Sequence, residues 1–342
     1  MNGRTAVFFG ELLLRLGTQR HERFIQARNF EVAYTGAEAN AAVALSNFGL
    51  EAYVVSAVPQ NEIGDACINF IRQFGVNTDY VVRRGSRLGL FYLETGASQR
   101  PSKVIYDRGA SAITELQRGE LDWEGIFSGK DWFHFSGTAP ALAPNMPAVV
   151  AEACASAKKH GLTVSCDINY RRKLWSPERA KEVMTGLMAD VDVLIGNEED
   201  AEIVFGIKAS EVDVTSGKID HRKYESVARQ LVTAFDLKLA AITLRESLSA
   251  SDNNWSAMLF DGKGAHFSRI YPIRVVDRVG TGDSFTGGLI YGLLSGFSAS
   301  QALEFAAAAS CLKHTIHGDF NLVSLPEVEH LLGGDASGRV QR

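Results

Sequence analysis

Cysteine is scarce: only Cys67, Cys154, Cys166 and Cys311 occur in 342 residues, and no CxxC spacing joins them. In a chain of this length they read as reduced core thiols, and the expected compartment is the cytoplasm. A surplus of positive charge is also lacking. The net charge of −5 excludes a general binder of nucleic-acid phosphates but leaves room for a small anionic ligand in a locally basic pocket. No apolar run approaches the roughly 18 residues that would suggest a membrane span. The start passes directly into Ala6-Val7-Phe8-Phe9 without a basic region or cleavage site, so no export signal is expected. The Asn254-Trp255-Ser256 sequon then reads as a coincidence of composition. Histidine clusters are missing too. His314 and His317 are the one close pair, nothing nearby completes a metal site, and they read as a polar helix end.

What is present is an ordinary soluble balance, 46% apolar and 22% charged, in a chain long enough to bury a large core. Short apolar runs at Ala6–Phe9, Ala52–Ala57, Trp132–Ser136, Leu162–Cys166, Val191–Ile195 and Leu239–Leu244 predict buried strands. Amphipathic stretches at Met146–Lys159, Ser176–Ala189 and Tyr224–Phe235 predict helices between them. The alternation implies βαβ units: an α/β fold with a mostly parallel sheet and helices on both faces, its strand carboxyl ends sharing the ligand-binding edge. Leu88–Glu94 and Lys103–Tyr106, flanking a turn-rich Thr95–Ser102, predict a protruding hairpin, either lid or oligomer contact. Tyr106 and Arg108, where it returns to the body, favour the lid. The tail from Gly333 onward is expected to fray.

The stretch Asp277-Arg278-Val279-Gly280-Thr281-Gly282-Asp283-Ser284-Phe285 follows a short strand ending at Val275-Val276 and opens a helix over Ser284–Leu294. Helix N-termini leave N–H groups unpaired and attract anions, and glycines let a phosphate approach the backbone. A P-loop would need a lysine that is absent, and a dinucleotide fingerprint would need glycine where Phe285 stands. Asp283 reads equally as a favourable first-turn acid or as a base beside an oxyanion turn. Gly36 would open an alanine-rich helix Ala37–Phe48 with Asn40 facing the same pocket. Asp167, Asn169 and Arg171 would point one way if their strand stays extended, unless Asp167 and Arg171 merely pair. Asn197 suits an N-cap followed by an acidic first turn.

Together Asp277–Phe285, Gly36-Ala37-Glu38-Ala39-Asn40-Ala41-Ala42-Val43-Ala44-Leu45 and Asp167–Trp175 resemble the signatures of the ribokinase/PfkB-like carbohydrate kinases, the 2-keto-3-deoxygluconate kinases most of all. The resemblance runs from about Phe9 to Asp319 and implies one ribokinase-like domain over 1–342 with a β lid from about 12–35 and 88–110. It implies Asp283 as general base and Gly280, Thr281 and Gly282 as the γ-phosphate anion hole. The sugar would be met by Gly36, Ala37, Asn40, Phe91, Tyr106, Arg108, Arg171 and Asp319. ATP would be met by Asn169, Asn197, Thr243, Arg245, Gly280 and Gly282, with Mg²⁺ touched through water by Asp200. The planar Arg171 guanidinium suits a carboxylate and thus an acid sugar. The implied activity is ATP-dependent phosphorylation of 2-keto-3-deoxygluconate at C6. A neutral ketose or pentose such as fructose or ribose is the alternative substrate, and a sugar-binding sensor without turnover the third reading.

Several positions depart from the family pattern. Thr35 stands where a second glycine is usual, Phe91 where tyrosine is common, Asp107 where some relatives have arginine, and Asp200 replaces glutamate. After Thr243-Leu244, Arg245-Glu246-Ser247-Leu248-Ser249 lacks the usual nucleotide-loop glycines, so Arg245 is expected to meet the phosphates by charge. A homodimer through the lid is expected by analogy, with no nucleic-acid or membrane partner.

Overall fold

A computed structural model describes residues 4–208 and 221–334. The strands, in chain order, begin with β1 (Thr5–Phe9), β2 (Leu13–Thr18), β3 (Phe30–Thr35), β4 (Glu51–Val58), β5 (Val81–Arg83), β6 (Gly89–Glu94) and β7 (Lys103–Asp107). They continue with β8 (Trp132–Ser136), β9 (Thr163–Asp167), β10 (Val193–Gly196), β11 (Leu239–Ser247), β12 (Asp252–Phe260), β13 (Ala265–Phe267) and β14 (Tyr271–Arg274). A ten-stranded sheet runs β13-β12-β11-β10-β9-β8-β1-β4-β5, with β14 on β12. From β11 to β5 every pair is parallel, and β12 adds antiparallel neighbours at one end.

The unbroken apolar runs have a simple cause. Ala6 and Phe8 enter one core while Val7 and Phe9 enter the other, because successive side chains leave opposite faces and both are covered by helices. Helix Met146–Lys159 spans its expected range. Helix Pro177–Leu187 is started by Ser176, whose side chain accepts from the Arg179 N–H, and a helix runs His221–Phe235.

A four-stranded sheet, β3-β2-β6-β7, lies beside the body. Its β6–β7 pair is the expected hairpin. Leu13, Phe91 and Leu93 form a small core on its inner side, with Val104, Tyr106 and Val279 packed on it. Leu16, Val32, Tyr92 and Ile105 are cross-strand neighbours on the other side, where Val32 and Ile105 are exposed.

Three expectations are corrected. The strand before the glycine turn ends at Arg274, so Val275 and Val276 belong to the connection. β9 ends at Asp167, and Asn169 adopts a left-handed φ of 38°, so Asp167–Arg171 is not one extended strand. His314 does end its helix, as the C-cap, but it is not solvated: it is buried against Trp255 at 5.2 Å between rings, with Nδ1 at 2.7 Å from the Ser310 carbonyl. Only its neighbour His317 is exposed, 2.8 Å from Glu31. The four thiols are unpaired; Cys311 is half-buried and the others are buried. The expected tail fraying lies, from residue 335, outside the described residues.

Candidate active site

A cleft of about 390 Å³ opens at the carboxyl ends of the parallel strands, roofed by the small sheet. Every residue the sequence assigns to catalysis, sugar, nucleotide or metal lines it. Asp107 does not. It sits on the outer edge of β7, paired with Arg87 at 2.8 Å.

One wall is the N-terminus of helix Thr281–Leu294, whose N-cap is Gly280 at φ 77°. A Cβ on Gly280 would fall 1.9 Å from the Asp319 carbonyl oxygen, so only glycine fits there. Gly282 faces open space. Asp277 fixes the turn from below, accepting from the Val279 N–H at 3.0 Å and the Gly318 N–H at 3.1 Å. Across the cleft Gly36 caps helix Ala37–Asn47, and a Cβ on it would meet the Glu11 carbonyl oxygen at 2.2 Å.

Asn40, one turn into that helix, donates to Asp283 Oδ2 at 2.6 Å. Thr35 orients Asn40 by donating to its Oδ1 at 2.7 Å. The threonine that departs from the family pattern is therefore the outer link of a relay ending on Asp283. Burial lifts the Asp283 pKa to about 6; the Asn40 hydrogen bond, Arg171 and Lys313 oppose the rise, and Asp319 adds to it. A base poised near neutrality is what proton abstraction at physiological pH requires.

Asp167, Asn169 and Arg171 do converge on the cleft, by a route other than strand alternation. Asn169 turns left-handed, its N–H donating to Asp167 Oδ1 at 3.1 Å, which redirects the chain toward the cleft. No ion pair joins Asp167 to Arg171 among the described residues. Arg171 instead stands among three carboxylates, lowering the pKa of Asp167, Asp200 and Asp283 against burial. Burial, then Asp283 and Asp200, push Asp167 up to about 8. Burial likewise lifts Asp200 to about 6.

Where β6 and β7 roof the cleft, Phe91 and Tyr106 pack at 5.9 Å. The Arg108 guanidinium lies over the Tyr106 ring at 4.4 Å and 3.4 Å from Glu11. On the opposite side Asn197 caps helix Glu198–Phe205, its Oδ1 accepting from the Asp200 N–H at 2.8 Å while its Nδ2 donates to Asp200 Oδ2 at 3.0 Å. The capping geometry and the place in the cleft hold together. Thr243 Oγ1 donates to the Gly196 carbonyl at 3.4 Å. The glycine-free segment is a β hairpin, Arg245 pairing with Trp255 across β11–β12. Arg245 stays open to the cleft. Its guanidinium reaches Thr281 Oγ1 at 3.5 Å and lies 5.2 Å from the Trp255 ring. Partial desolvation between the cleft walls, then repulsion from Arg278, lower its pKa to about 10.

Sequence reading missed Glu38, Arg15 and Glu11. Glu38 is buried, accepts from the Ser136 N–H at 3.0 Å and its hydroxyl at 2.6 Å, and has its pKa lifted to about 7, chiefly by burial. Its signal is a lone charge in an alanine-rich helix. Arg15 is the lone charge in Leu12-Leu13-Leu14-Arg15-Leu16, on the Leu13 side of the strand.

The family model for pfkB family carbohydrate kinases matches residues 4–324. The chain is 34% identical over 331 residues to a 2-dehydro-3-deoxygalactonokinase of Haloferax volcanii, covering 96% of this chain and 97% of that protein. It superimposes with a TM-score of 0.93 on the crystal structure of a 2-dehydro-3-deoxygluconokinase from Thermotoga maritima, 49% identical, covering 97% and 99%. An E. coli structure in complex with ATP and Mg²⁺ shares the fold at 19% identity, TM-score 0.79, covering 97% and 99%.

Proposed function

The chain belongs to the pfkB family of carbohydrate kinases and is a sugar kinase; we propose that it transfers the γ-phosphoryl group of ATP to the C6 hydroxyl of 2-keto-3-deoxygluconate. The observation that carries this reading is the Asp283 carboxylate, one oxygen held by Asn40 at 2.6 Å, beside a glycine-lined helix N-terminus. Oδ1 of Asp283 accepts the C6 hydroxyl proton as that oxygen bonds to the γ-phosphorus and the bond to the β-phosphate oxygen breaks, releasing ADP. The N–H groups of the Gly280–Gly282 turn stabilise charge on the migrating group. Arg245 meets the phosphates by charge, in place of a glycine loop. Asn169, Asn197 and Thr243 lie along the nucleotide side.

The donor set fits Mg²⁺ bound through water. The Asp200 and Asp167 carboxylates crowd one end of the cleft; burial lifts both, with Asp283 and Asp200 adding to the rise at Asp167 and Glu199 to that at Asp200, an excess of negative charge that a cation relieves. Asp200 would hold the ion's water shell, and the ion would supply charge neutralisation on the phosphates. Arg108 and Arg171, both lining the cleft, would meet the sugar, and a carboxylate suits a planar guanidinium. Gly36, Ala37, Phe91, Tyr106 and Asp319 complete that wall. The small sheet, from about 12–35 and 88–110, serves as a lid on a single domain over 1–342 and excludes water from the phosphoryl group.

A panel of sugars in a coupled ADP-release assay tests the substrate. It includes 2-keto-3-deoxygalactonate, a second reading favoured by the name of the Haloferax relative. A clear preference for fructose or ribose would overturn the acid-sugar assignment. Arg245→Ala is expected to raise the KM for ATP by about 10-fold or more, the loss of a charged hydrogen-bonding partner, leaving the KM for sugar in place. An unchanged KM for ATP removes Arg245 from the nucleotide site.

Unpaired thiols and an ATP-dependent reaction on a small metabolite support a cytoplasmic location. The apolar outer face of the small sheet supports pairing with a second copy of the chain. Phe30, Val32 and Ile105 are 40%, 59% and 52% exposed there, and such a face is unfavourable in water unless covered. Val32→Glu with Ile105→Glu is expected to convert a dimer to a monomer in sedimentation velocity. A wild-type monomer at micromolar concentration rules the dimer out.

A further inference from the structure

Behind the catalytic turn lies a buried group of charges. Arg15 projects from the inner face of β2, 4% exposed, and its guanidinium forks onto two aspartates distant in sequence. Nη2 donates to Asp277 Oδ2 at 3.1 Å, and Nη1 donates to Asp319 Oδ1. Lys313, fully buried, donates to the Ile316 carbonyl at 3.1 Å and feels the charge of both aspartates.

The two aspartates depend on Arg15 unequally. Asp277 is also held by the Val279 and Gly318 N–H groups. The Asp319 carboxylate has Arg15 as its one hydrogen-bond donor among the described residues. Thr35 is close enough to lower its pKa as a hydrogen-bonding neighbour, but the Thr35 hydroxyl donates to Asn40 Oδ1 at 2.7 Å and makes no hydrogen bond of its own to Asp319 Oδ2. Asp319 Oδ2 is left shielded from solvent without a donor, on a side chain that lines the cleft. A buried carboxylate oxygen with no donor is costly, and a ligand hydroxyl is the chemistry that relieves it.

The geometry points to Arg15 as a positioning residue: by taking Oδ1 it fixes Asp319 so that Oδ2 is reserved for a hydroxyl of the bound sugar, and it joins the lid strand to that acceptor. The inference rests on the sugar-kinase reading of Asp319 and goes beyond it, because Arg15 itself touches neither substrate. A lysine at position 15 would keep a buried positive charge yet could not fork across two carboxylates.

The test is a double-mutant cycle on the full-length enzyme, Arg15→Lys, Asp319→Asn and both together, reading kcat and both KM values. Arg15→Lys is expected to raise the KM for sugar about 10–100-fold, as for a lost charge-assisted hydrogen bond, with the KM for ATP unmoved. The double variant should be no worse than Asp319→Asn alone, since Arg15 acts through that carboxylate. Should Arg15→Lys fail to fold, Arg15→Gln carries the same cycle. Fold-losses that multiply, a KM for ATP that rises with that for sugar, or an unchanged KM for sugar in Arg15→Lys each overturn the inference. An Asp319→Asn enzyme with an unaltered KM for sugar overturns both this and the role of Asp319. If the wild type prefers another sugar, only the substrate assignment falls, and the cycle run with the preferred sugar still decides the role of Arg15.

Discussion

Asp283→Asn is expected to lower kcat by roughly 10²–10⁴-fold, the range for losing a positioned general base, while both KM values stay close to wild type. The substitution keeps side-chain size and can still meet Asn40 through its amide oxygen, so helix Thr281–Leu294 and its turn remain in place. What is lost is the ability to take a proton. The pH profile supplies an independent reading of the same group. With its pKa lifted to about 6, chiefly by burial, Asp283 is ionised above that value and protonated below it. A base must be ionised to act, so kcat/KM should be flat above about pH 6 and fall tenfold per pH unit below it. The part of the fall that Asp283 causes should be lost from the residual activity of Asp283→Asn, leaving a shallower limb set by Asp200, which burial also lifts to about 6. An Asn variant with undiminished turnover, or one whose acid limb is as steep as that of the wild type, would remove Asp283 from the role of base.

The glycine turn and its helix were legible because their signal is local. Glycine at a left-handed position, an acidic first turn and an apolar helix after it are neighbours in sequence, and Gly280–Leu294 follows from them. The same holds for Gly36 and its helix, and for Met146–Lys159. The sheet was legible because burial on both faces leaves unbroken apolar runs. Where the reading failed, one backbone torsion or a distant partner decided the matter. Alternation beyond Asp167 ends because Asn169 turns left-handed, a conformation asparagine tolerates but does not require. Arg15 stayed invisible because its partners lie 262 and 304 positions away. His314 has polar chemistry, yet it is buried by Trp255, which arrives from β12. A residue's type sets what it can bond to, but the sequence does not say which surface the fold will lay against it.

The two glycines of the turn should fail in different ways, and the contrast separates backbone shape from ligand access. Gly280→Ala places a side chain at φ 77° and its Cβ 1.9 Å from the Asp319 carbonyl oxygen. The left-handed torsion costs about 1–2 kcal/mol, and the clash is with backbone, so no rotamer relieves it. Either the turn or the 318–319 segment must shift, moving the anion-hole N–H groups and the Asp319 acceptor together. A lower Tm and a loss in kcat of about 10²-fold or more are expected, the latter being the scale for one misplaced oxyanion donor. Gly282→Ala meets nothing within 4 Å beyond its own turn of helix, and at this first-turn position alanine is favoured over glycine by up to about 1 kcal/mol. Its Tm should hold or rise. Its Cβ would nevertheless project into the space assigned to the phosphate, so turnover should fall in a protein that is no less stable. Calorimetry beside the coupled assay distinguishes the cases. A Gly282→Ala enzyme with full activity would mean that the phosphoryl group does not pass over this turn, because nothing else in the protein competes for that space.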